Sequence, residues 1–308
     1  MSTAERLEAE LGPEQAAFGG GCQRDIEASP DPGPPVTVGL DGGYVRGREK
    51  IPGGTGCFEV IAGKSIPQEG AAKVFALVRR VDPKPRRRLY EVLRAQGVVP
   101  RQQVTFLSDG GDTVRDLPSM LHPSSEHILD WFDIAMRIEQ LSQTARGVRD
   151  EEDAISRAEI LRHLQRVKWF LWHGNVFRAD DALTELIDDV DAAREAGRES
   201  GRPSQIPLKK LARALDEFGT YVDNNSDAIV NYGERYRCGE RISTGFVESA
   251  VNQLLAKRFV KKQQMRWTPR GPHLLLQVRA KVLNGDLEAV FERWHPGYRG
   301  KTPITQAA

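Results

Sequence analysis

The sequence has few cysteines and no long apolar segment. Its three cysteines, Cys22, Cys57 and Cys238, lie far apart in the 308-residue chain and show none of the spacings that bind zinc. A sparse, odd set of cysteines favours buried thiols in a reducing cytoplasm. No apolar run approaches the ~20 residues that span a bilayer, so we expect no membrane segment. The N-terminal residues also lack the apolar stretch of a secretion signal.

Charge is nearly balanced overall but is unevenly distributed along the chain. Apolar and charged residues make up 39% and 28% of the sequence, as in soluble globular proteins, and the net charge is +1. Residues 257–301 contain eleven Lys or Arg and three acids, a local charge of +8. Residues 150–199 contain thirteen acids and seven Lys or Arg, a local charge of −6. This asymmetry favours a polyanionic partner at one face, although solvated surface charges would give the same pattern.

Hydrophobic periodicity predicts a mixed sheet followed by a helical segment. The predicted order is three strands, a helix, a strand, a helix and a strand, at 36–41, 57–66, 73–80, 85–97, 103–108, 113–121 and 127–134. Three strands in a meander, then alternating helices and strands, are typical of a ribonuclease-H-like α/β fold with a mixed five-stranded sheet.

The predicted domains follow from where these patterns change. Residues 1–35 form a flexible lead-in rich in Pro and Gly, with a short helical pattern at 4–11. Residues 36–135 form the first part of the core, and residues 136–240 form an all-α insertion. Residues 241–285 return to the core as a catalytic and a basic helix, and residues 286–308 form a C-terminal tail.

Three acidic residues are candidates for a catalytic metal site. Asp41 and Asp109 each end a predicted buried strand and are each followed by two glycines. Glu248 lies near the start of a predicted helix, where the helix N-terminus favours its ionised form. Each acid also has an ordinary interpretation, as the first residue of an Asp-Gly turn or as part of a solvated helix surface.

Together the three carboxylates suit hard divalent cations. Mg²⁺ prefers oxygen ligands, and two Mg²⁺ ions ~3.5–4 Å apart can promote an in-line phosphoryl displacement. The sequence therefore indicates a site for two Mg²⁺ ions, with Mn²⁺ as a substitute.

A basic segment follows the helix of Glu248 and is a candidate DNA-binding surface. Its cations would contact phosphates with little sequence selectivity. Trp267 could stack on an unpaired base, although a packing role is the more common one for such a residue. The candidate residues are Lys257, Arg258, Lys261, Lys262, Arg266, Trp267 and Arg270.

Several motifs resemble bacterial insertion-sequence transposases of the DDE class. These motifs are LDGGYVRG, TFLSDGGDTVRDL, HILDWFDIAMRI, RVKWFLWHG and the segment from FVESAVNQLLAKRFVKKQQMRW to LLLQVRAKVLNG. The similar branch is the Kra-type family, which is distantly similar to Mutator-like transposases, and the resemblance covers residues 36–284. It implies a ribonuclease-H-like catalytic domain, Mg²⁺-dependent DNA cleavage and strand transfer, and catalytic roles for Asp41, Asp109 and Glu248.

The sequence departs from this family in two places. Family members usually have an aspartate, two residues and then a histidine after the fifth strand, whereas here Asp130 is followed by Asp133 at the histidine position. An ionised aspartate accepts hydrogen bonds and repels phosphate, so Asp133 either impairs catalysis or acts with Asp130 as an auxiliary acid. Full-length relatives also have a longer N-terminal region, so a truncated or repurposed copy is an alternative.

The leading hypothesis is a DDE transposase that cuts and joins DNA in the bacterial cytoplasm, in association with the nucleoid. One alternative is a catalytically impaired or domesticated DNA-binding protein derived from a transposase. Another is a ribonuclease-H-like nuclease without transposition. The resemblance also implies a homo-oligomer, with transposon ends and target DNA as partners.

Overall fold

The structure is a computed structural model of the whole chain. It describes residues 1–14, 30–48, 56–99, 101–111, 125–150, 155–201, 206–260 and 266–297, without the side chains of residues 256–258 and 260. The helix predicted at 113–121 lies outside the described residues.

The five predicted strands and the helix predicted at 85–97 occur in the predicted order. The strands are β1 (Val36–Arg46), β2 (Cys57–Ile66), β3 (Lys73–Leu77), β4 (Val104–Ser108) and β5 (Ser125–Leu129). The helices that precede or separate them are α1 (Thr3–Glu10) and α2 (Pro85–Ala95). Helix α1 begins at a capping box, in which Ser2 accepts a hydrogen bond from the backbone of Glu5 and Glu5 returns one.

The second half of the described chain is helical. Its α-helices are α3 (Trp131–Arg146), α4 (Arg157–Trp172), α5 (Val176–Glu199), α6 (Ile206–Asn224), α7 (Tyr232–Arg237), α8 (Gly245–Val251), α9 (Arg270–Leu283) and α10 (Leu287–Trp294). A 3₁₀-helix, Ser226–Ala228, follows α6, and a π-helix, Asn252–Val260, directly continues α8. Helix α10 lies within residues 286–308, which the sequence predicts to be a C-terminal tail.

The five strands form one mixed sheet in the order β3-β2-β1-β4-β5. Strand β1 pairs antiparallel with β2, and β2 pairs antiparallel with β3. In this register Asp41 is opposite Ala62 and Gly43 is opposite Val60. The prediction of an α/β fold with a mixed five-stranded sheet and flanking helices is confirmed.

Strand β1 contributes alternate residues to two hydrophobic clusters, one on each face of the sheet. Val36, Val38 and Leu40 pack in a cluster with Leu89 and Leu93 of α2. Val45, in the opposite phase, packs in a second cluster with residues of the π-helix and α9. Because side chains alternate along a strand, Asp41 lies in the phase of Val45, on the face of the π-helix.

The contacts divide the chain into two compact units. Unit one contains Met1–Phe106, Gly111–Glu126 and Gly245–Ala308, and unit two contains Leu107–Gly110 and His127–Thr244. In unit two, helix α4 packs against α3 and α5, and α6 packs against α3 and α5. Among the described residues, no helix has both the length and the apolar character needed to cross a membrane.

Three strand ends in the sequence prediction are wrong. Strand β1 continues past Asp41 to Arg46, and β3 ends at Leu77 rather than at residue 80. The third is the end of β5. The last strand was expected at 127–134, but β5 ends at Leu129 and helix α3 begins at Trp131. The physical reason is Asp130, whose carboxylate accepts a hydrogen bond from the Phe132 N–H at 2.7 Å and so caps the new helix. The apolar run 127–134 therefore divides into a strand end and a first helical turn.

Candidate functional site

Asp41 lies within strand β1, and its neighbours on the same face are glycines. A Cβ added at Gly39 would lie 2.1 Å from the Val247 side chain, and one added at Gly43 would lie 2.8 Å from the Leu255 side chain. Helix α8 and the π-helix therefore approach the backbone of β1 closely on both sides of Asp41. This approach requires glycine, because any side chain would separate the helix from the strand.

Glu248 follows Val247 on the helix that makes this approach. It is exposed, whereas Val247 and Ala250 are buried against the sheet. The part-buried Asp41 and the exposed Glu248 thus belong to a strand and a helix of unit one that pack directly on each other. Unit one brings these two predicted acids onto one face of the sheet.

The helix of Glu248 changes its winding after Val251. Residues 252–260 form a π-helix, which is rare and often occurs at functional sites. The Arg279 side chain of α9 donates hydrogen bonds to the backbone carbonyls of Gln253 and, at 3.1 Å, Leu254. These bonds attach the wider turns to α9. The helical periodicity of the sequence predicts a helix here but contains no sign of the wider winding.

Asp109 directly follows β4, the strand that neighbours β1 in the sheet. It belongs to unit two, where it is exposed and its backbone carbonyl accepts a hydrogen bond from the Tyr221 hydroxyl at 3.2 Å. The next residue, Gly110, has a φ of 81°, and a Cβ there would lie 2.5 Å from the Asn225 Oδ1 atom. Tyr221 therefore holds the backbone that carries Asp109, and the Asn225 side chain lies close to Gly110 of the same turn.

Tyr221 also interacts electrostatically with Asp133, one of the two auxiliary acids. Burial raises the pKa of the Tyr221 hydroxyl, the charge of Arg137 opposes that rise, and the charge of Asp133 adds to it. The Arg137 guanidinium lies 3.9 Å from the centre of the Tyr221 ring. Asp133 and Asp109 are thus both near one phenol in unit two. Nothing in the sequence distinguishes Tyr221 or Asn225 from other residues at the end of a helix, so neither residue could be predicted from the sequence.

The two auxiliary acids have different surroundings. Asp130 is buried, with Oδ1 accepting from the Phe132 N–H and Oδ2 accepting from the backbone N–H of Thr244 at 2.9 Å and from its hydroxyl. These bonds anchor the start of α3 to the residue before Gly245. Asp133 is part-buried in the first turn of α3, where the helix dipole favours an acid.

Three of the predicted DNA-binding residues can be described with their side chains. Arg266 is exposed, and the exposed Arg270 lies 3.6 Å from Glu5. The Trp267 backbone bonds to residues at the end of β1, and its ring packs edge-on against Phe259 at 5.2 Å. Trp267 is therefore a packing anchor in unit one. The structure does not describe the side chains of the other four, Lys257, Arg258, Lys261 and Lys262.

A second acidic cluster in unit one, Glu8, Asp82 and His273, has ligand atoms within 4.8 Å of one another. However, the Arg88 guanidinium already lies among them, 2.7 Å from Asp82 and 2.9 Å from Glu8. Burial raises the pKa of Glu8, but hydrogen bonding to His273 and the Arg88 charge outweigh it and lower the pKa to about 2. This cluster is a buried ionic network that contains its own cation, which would repel a divalent ion.

No protein-family model matches the chain, and no curated protein matches it at a significant level.

Proposed function

We propose that the chain is the catalytic domain of a DDE transposase, which cleaves DNA at the ends of an insertion sequence and joins those ends to target DNA. The observation that supports this most is the packing of the Glu248 helix on strand β1 through Gly39 and Gly43, beside Asp41. Asp109 follows the neighbouring strand. Two acids from adjacent strands and one from a helix packed on that sheet are the arrangement that the resemblance implies, in a ribonuclease-H-like fold.

The chemistry of the donor set fits Mg²⁺. Asp41, Asp109 and Glu248 offer only carboxylate oxygens, and neither Asp41 nor Glu248 is fully buried. These three residues would hold two Mg²⁺ ions, or Mn²⁺ in their place. When bound, such ions neutralise charge on the attacking and leaving oxygens of a phosphodiester.

The chain's own contribution is to position these carboxylates. Asp41 is held by the paired strands β1 and β2, and the Glu248 helix is held by the fit of Val247 and Leu255 over the two glycines. Rigid supporting elements keep catalytic groups in place and so lower the cost of reaching the transition state. The basic residues that follow, including Arg266 and Arg270, supply contacts to phosphates.

The reaction would have DNA partners, an oligomeric enzyme and a cellular location. The partners are transposon ends and target DNA, the active form is a homo-oligomer, and the location is the bacterial cytoplasm at the nucleoid. Mg²⁺ dependence and DNA joining are therefore parts of one testable activity.

The test is a cleavage and joining assay on a labelled duplex that spans an end of the element carrying the gene. Native protein, Glu248→Gln and the control Glu199→Gln, an exposed residue of α5, are compared with Mg²⁺, Mn²⁺ or chelator. We expect native and control proteins to cut and join only with a divalent ion. Glu248→Gln should lose roughly 10²–10³-fold in rate, the usual cost of removing a group that stabilises transition-state charge.

Each alternative gives a different result in this assay. Cleavage without joining would indicate a nuclease, and DNA binding without cleavage would indicate a repurposed DNA-binding protein. Equal rates for native protein and Glu248→Gln would exclude Glu248 from the catalytic site.

A further inference from the structure

Helix α1 carries three glutamates that contact cations of unit one. Glu5 lies 3.6 Å from Arg270, Glu8 lies 2.9 Å from Arg88, and Glu10 lies 2.5 Å from Arg293. The cations come from three other helices, α9, α2 and α10. A single acidic helix thus neutralises positive charge from three directions.

Two further contacts place α1 against α10. The indole N–H of Trp294 donates a hydrogen bond to Glu10. The Arg6 guanidinium lies 4.4 Å from the centre of the Trp294 ring. The side of α10 that carries Arg293 and Trp294 is therefore occupied by α1.

The residues after α1 continue this pattern at the start of helix α2. The Glu14 carboxylate accepts hydrogen bonds from the backbone N–H groups of Arg86, at 3.2 Å, and Arg87, at 3.0 Å. The side chain of Lys84, the N-cap residue of α2, forms no capping hydrogen bond. Free N–H groups at a helix N-terminus are a common binding place for phosphate. Glu14 occupies that place with a carboxylate of the same chain.

The surface beside α1 is basic. A cavity of about 550 Å³ bounded by α1, β3, α2, α9 and α10 is lined by six Lys or Arg and three acids. One of those three acids is Glu10 of α1 itself. Removing α1 would therefore increase the positive charge of this surface.

Helix α1 packs against α9 through part-buried residues. None of its residues is buried, and a helix of eight residues is unstable alone in water. Exposed ion pairs such as Glu5 with Arg270 contribute little to stability. Of the three ion pairs that α1 makes with these helices, that of Glu8 with Arg88 is the least exposed. The segment is thus built to dock and also to be displaced by a competing polyanion.

We propose that residues 2–14 act as an internal polyanion that covers a phosphate-binding face formed by α2, α9 and α10. The face binds the backbone of duplex DNA when the segment is displaced. This inference rests on the proposed DNA-processing function and adds its regulation. Four carboxylates, those of Glu5, Glu8, Glu10 and Glu14, occupy positions that DNA phosphates would take.

The test compares DNA affinity between two double variants of equal charge. Glu5→Gln/Glu10→Gln weakens the docked segment, and Glu195→Gln/Glu199→Gln removes the same two charges from exposed residues of α5. The described part of the structure shows no ion pair at either α5 glutamate. Binding of a fluorescein-labelled duplex of arbitrary sequence is measured by anisotropy over a series of salt concentrations, with Mg²⁺ omitted.

We expect the α1 variant to bind roughly fivefold more tightly than the native protein at low salt, and the α5 variant to change less than about twofold. The slope of log affinity against log salt should steepen by about two for the α1 variant, since two more phosphates are contacted. Equal gains for both variants would show a simple charge effect and overturn the inference. If the native protein binds DNA but neither variant differs from it, the inference fails while the proposed function stands. If none of the proteins binds DNA, both fail.

Discussion

The two Asp-Gly-Gly segments have the same local sequence but different structures. Asp41-Gly42-Gly43 lies inside strand β1, which continues to Arg46. Asp109-Gly110-Gly111 follows the end of β4, and Gly110 adopts a φ of 81°. In the first segment glycine makes room for a helix, and in the second it permits a turn. The neighbouring element, rather than the motif, determines which property of glycine is used.

The same contrast applies to the two aspartates. Asp41 is part-buried on a strand face beneath a packed helix of unit one. Asp109 is exposed in unit two, and its backbone is held by Tyr221. One acid is positioned by sheet pairing and the other by a hydrogen bond from helix α6. The following predictions separate these two forms of support, from the largest effect to the smallest.

Both aspartates should be required for cleavage despite their different support. We expect Asp41→Asn and Asp109→Asn each to lose roughly 10²–10³-fold in metal-dependent cleavage rate, because each removes a carboxylate from the proposed metal site. The control is Asp223→Asn, an exposed residue of α6. A normal rate for Asp109→Asn alone would restrict the site to unit one.

Of the glycines near Asp41, Gly39 packs against helix α8 and should tolerate alanine poorly, whereas Gly42 should tolerate it well. Gly39→Ala should lower the free energy of unfolding by about 1–3 kcal/mol, because its Cβ would overlap Val247. Gly42→Ala is the matched control on the opposite face, where the nearest atom would lie 3.6 Å away. Denaturant unfolding gives both values, and equal losses would refute the role of close packing.

Substitution of Gly110 should destabilise the fold for two reasons, and the control substitution at Gly97 shares only the first of them. Gly110→Ala combines a positive φ with a Cβ that would lie 2.5 Å from Asn225, whereas Gly97→Ala combines a φ of 79° with open space. We expect Gly97→Ala to cost about 1–2 kcal/mol from backbone strain. Gly110→Ala should cost more, and the excess should shrink in an Asn225→Ala background. Thermal or denaturant unfolding measures this cycle.

Loss of the Tyr221 hydroxyl should produce the smallest effect. Tyr221→Phe removes one neutral hydrogen bond to the Asp109 carbonyl and should cost about 0.5–1.5 kcal/mol of stability. If this bond positions Asp109, the cleavage rate should also fall while DNA affinity stays unchanged. Phe218→Leu, at a buried position of the same helix, is the control for a purely structural loss.

Much of the fold could be predicted from local patterns. The β2 limits, the starts of β1 and β3 and the start of α2 agree with the sequence, because alternating apolar residues and a proline at the first helical turn are local signals. Helix α4 ends at Trp172, and Gly174 shortly after it has the positive φ, 69°, that glycine favours at helix ends. The predicted end of β5 is wrong because Asp130 caps a helix that begins inside the apolar run.

Less of the candidate site than of the fold could be predicted from the sequence. The pattern suggests Asp41, Asp109 and Glu248 as candidates. It does not predict the approach of Val247 to Gly39, which depends on contacts far apart in the chain. The π-helix, the support from Tyr221 and the docking of α1 depend likewise on tertiary packing. The charge counts also do not predict that Arg270 contacts an acid of α1.

The central claim is that Asp41, Asp109 and Glu248 bind divalent cations together. The most direct measurement is the number of Mn²⁺ ions bound per chain, determined by electron paramagnetic resonance in the presence of duplex DNA. We predict about two ions for the native protein and for Glu199→Gln, and fewer for each of Asp41→Asn, Asp109→Asn and Glu248→Gln. An unchanged count in all three variants would contradict the account.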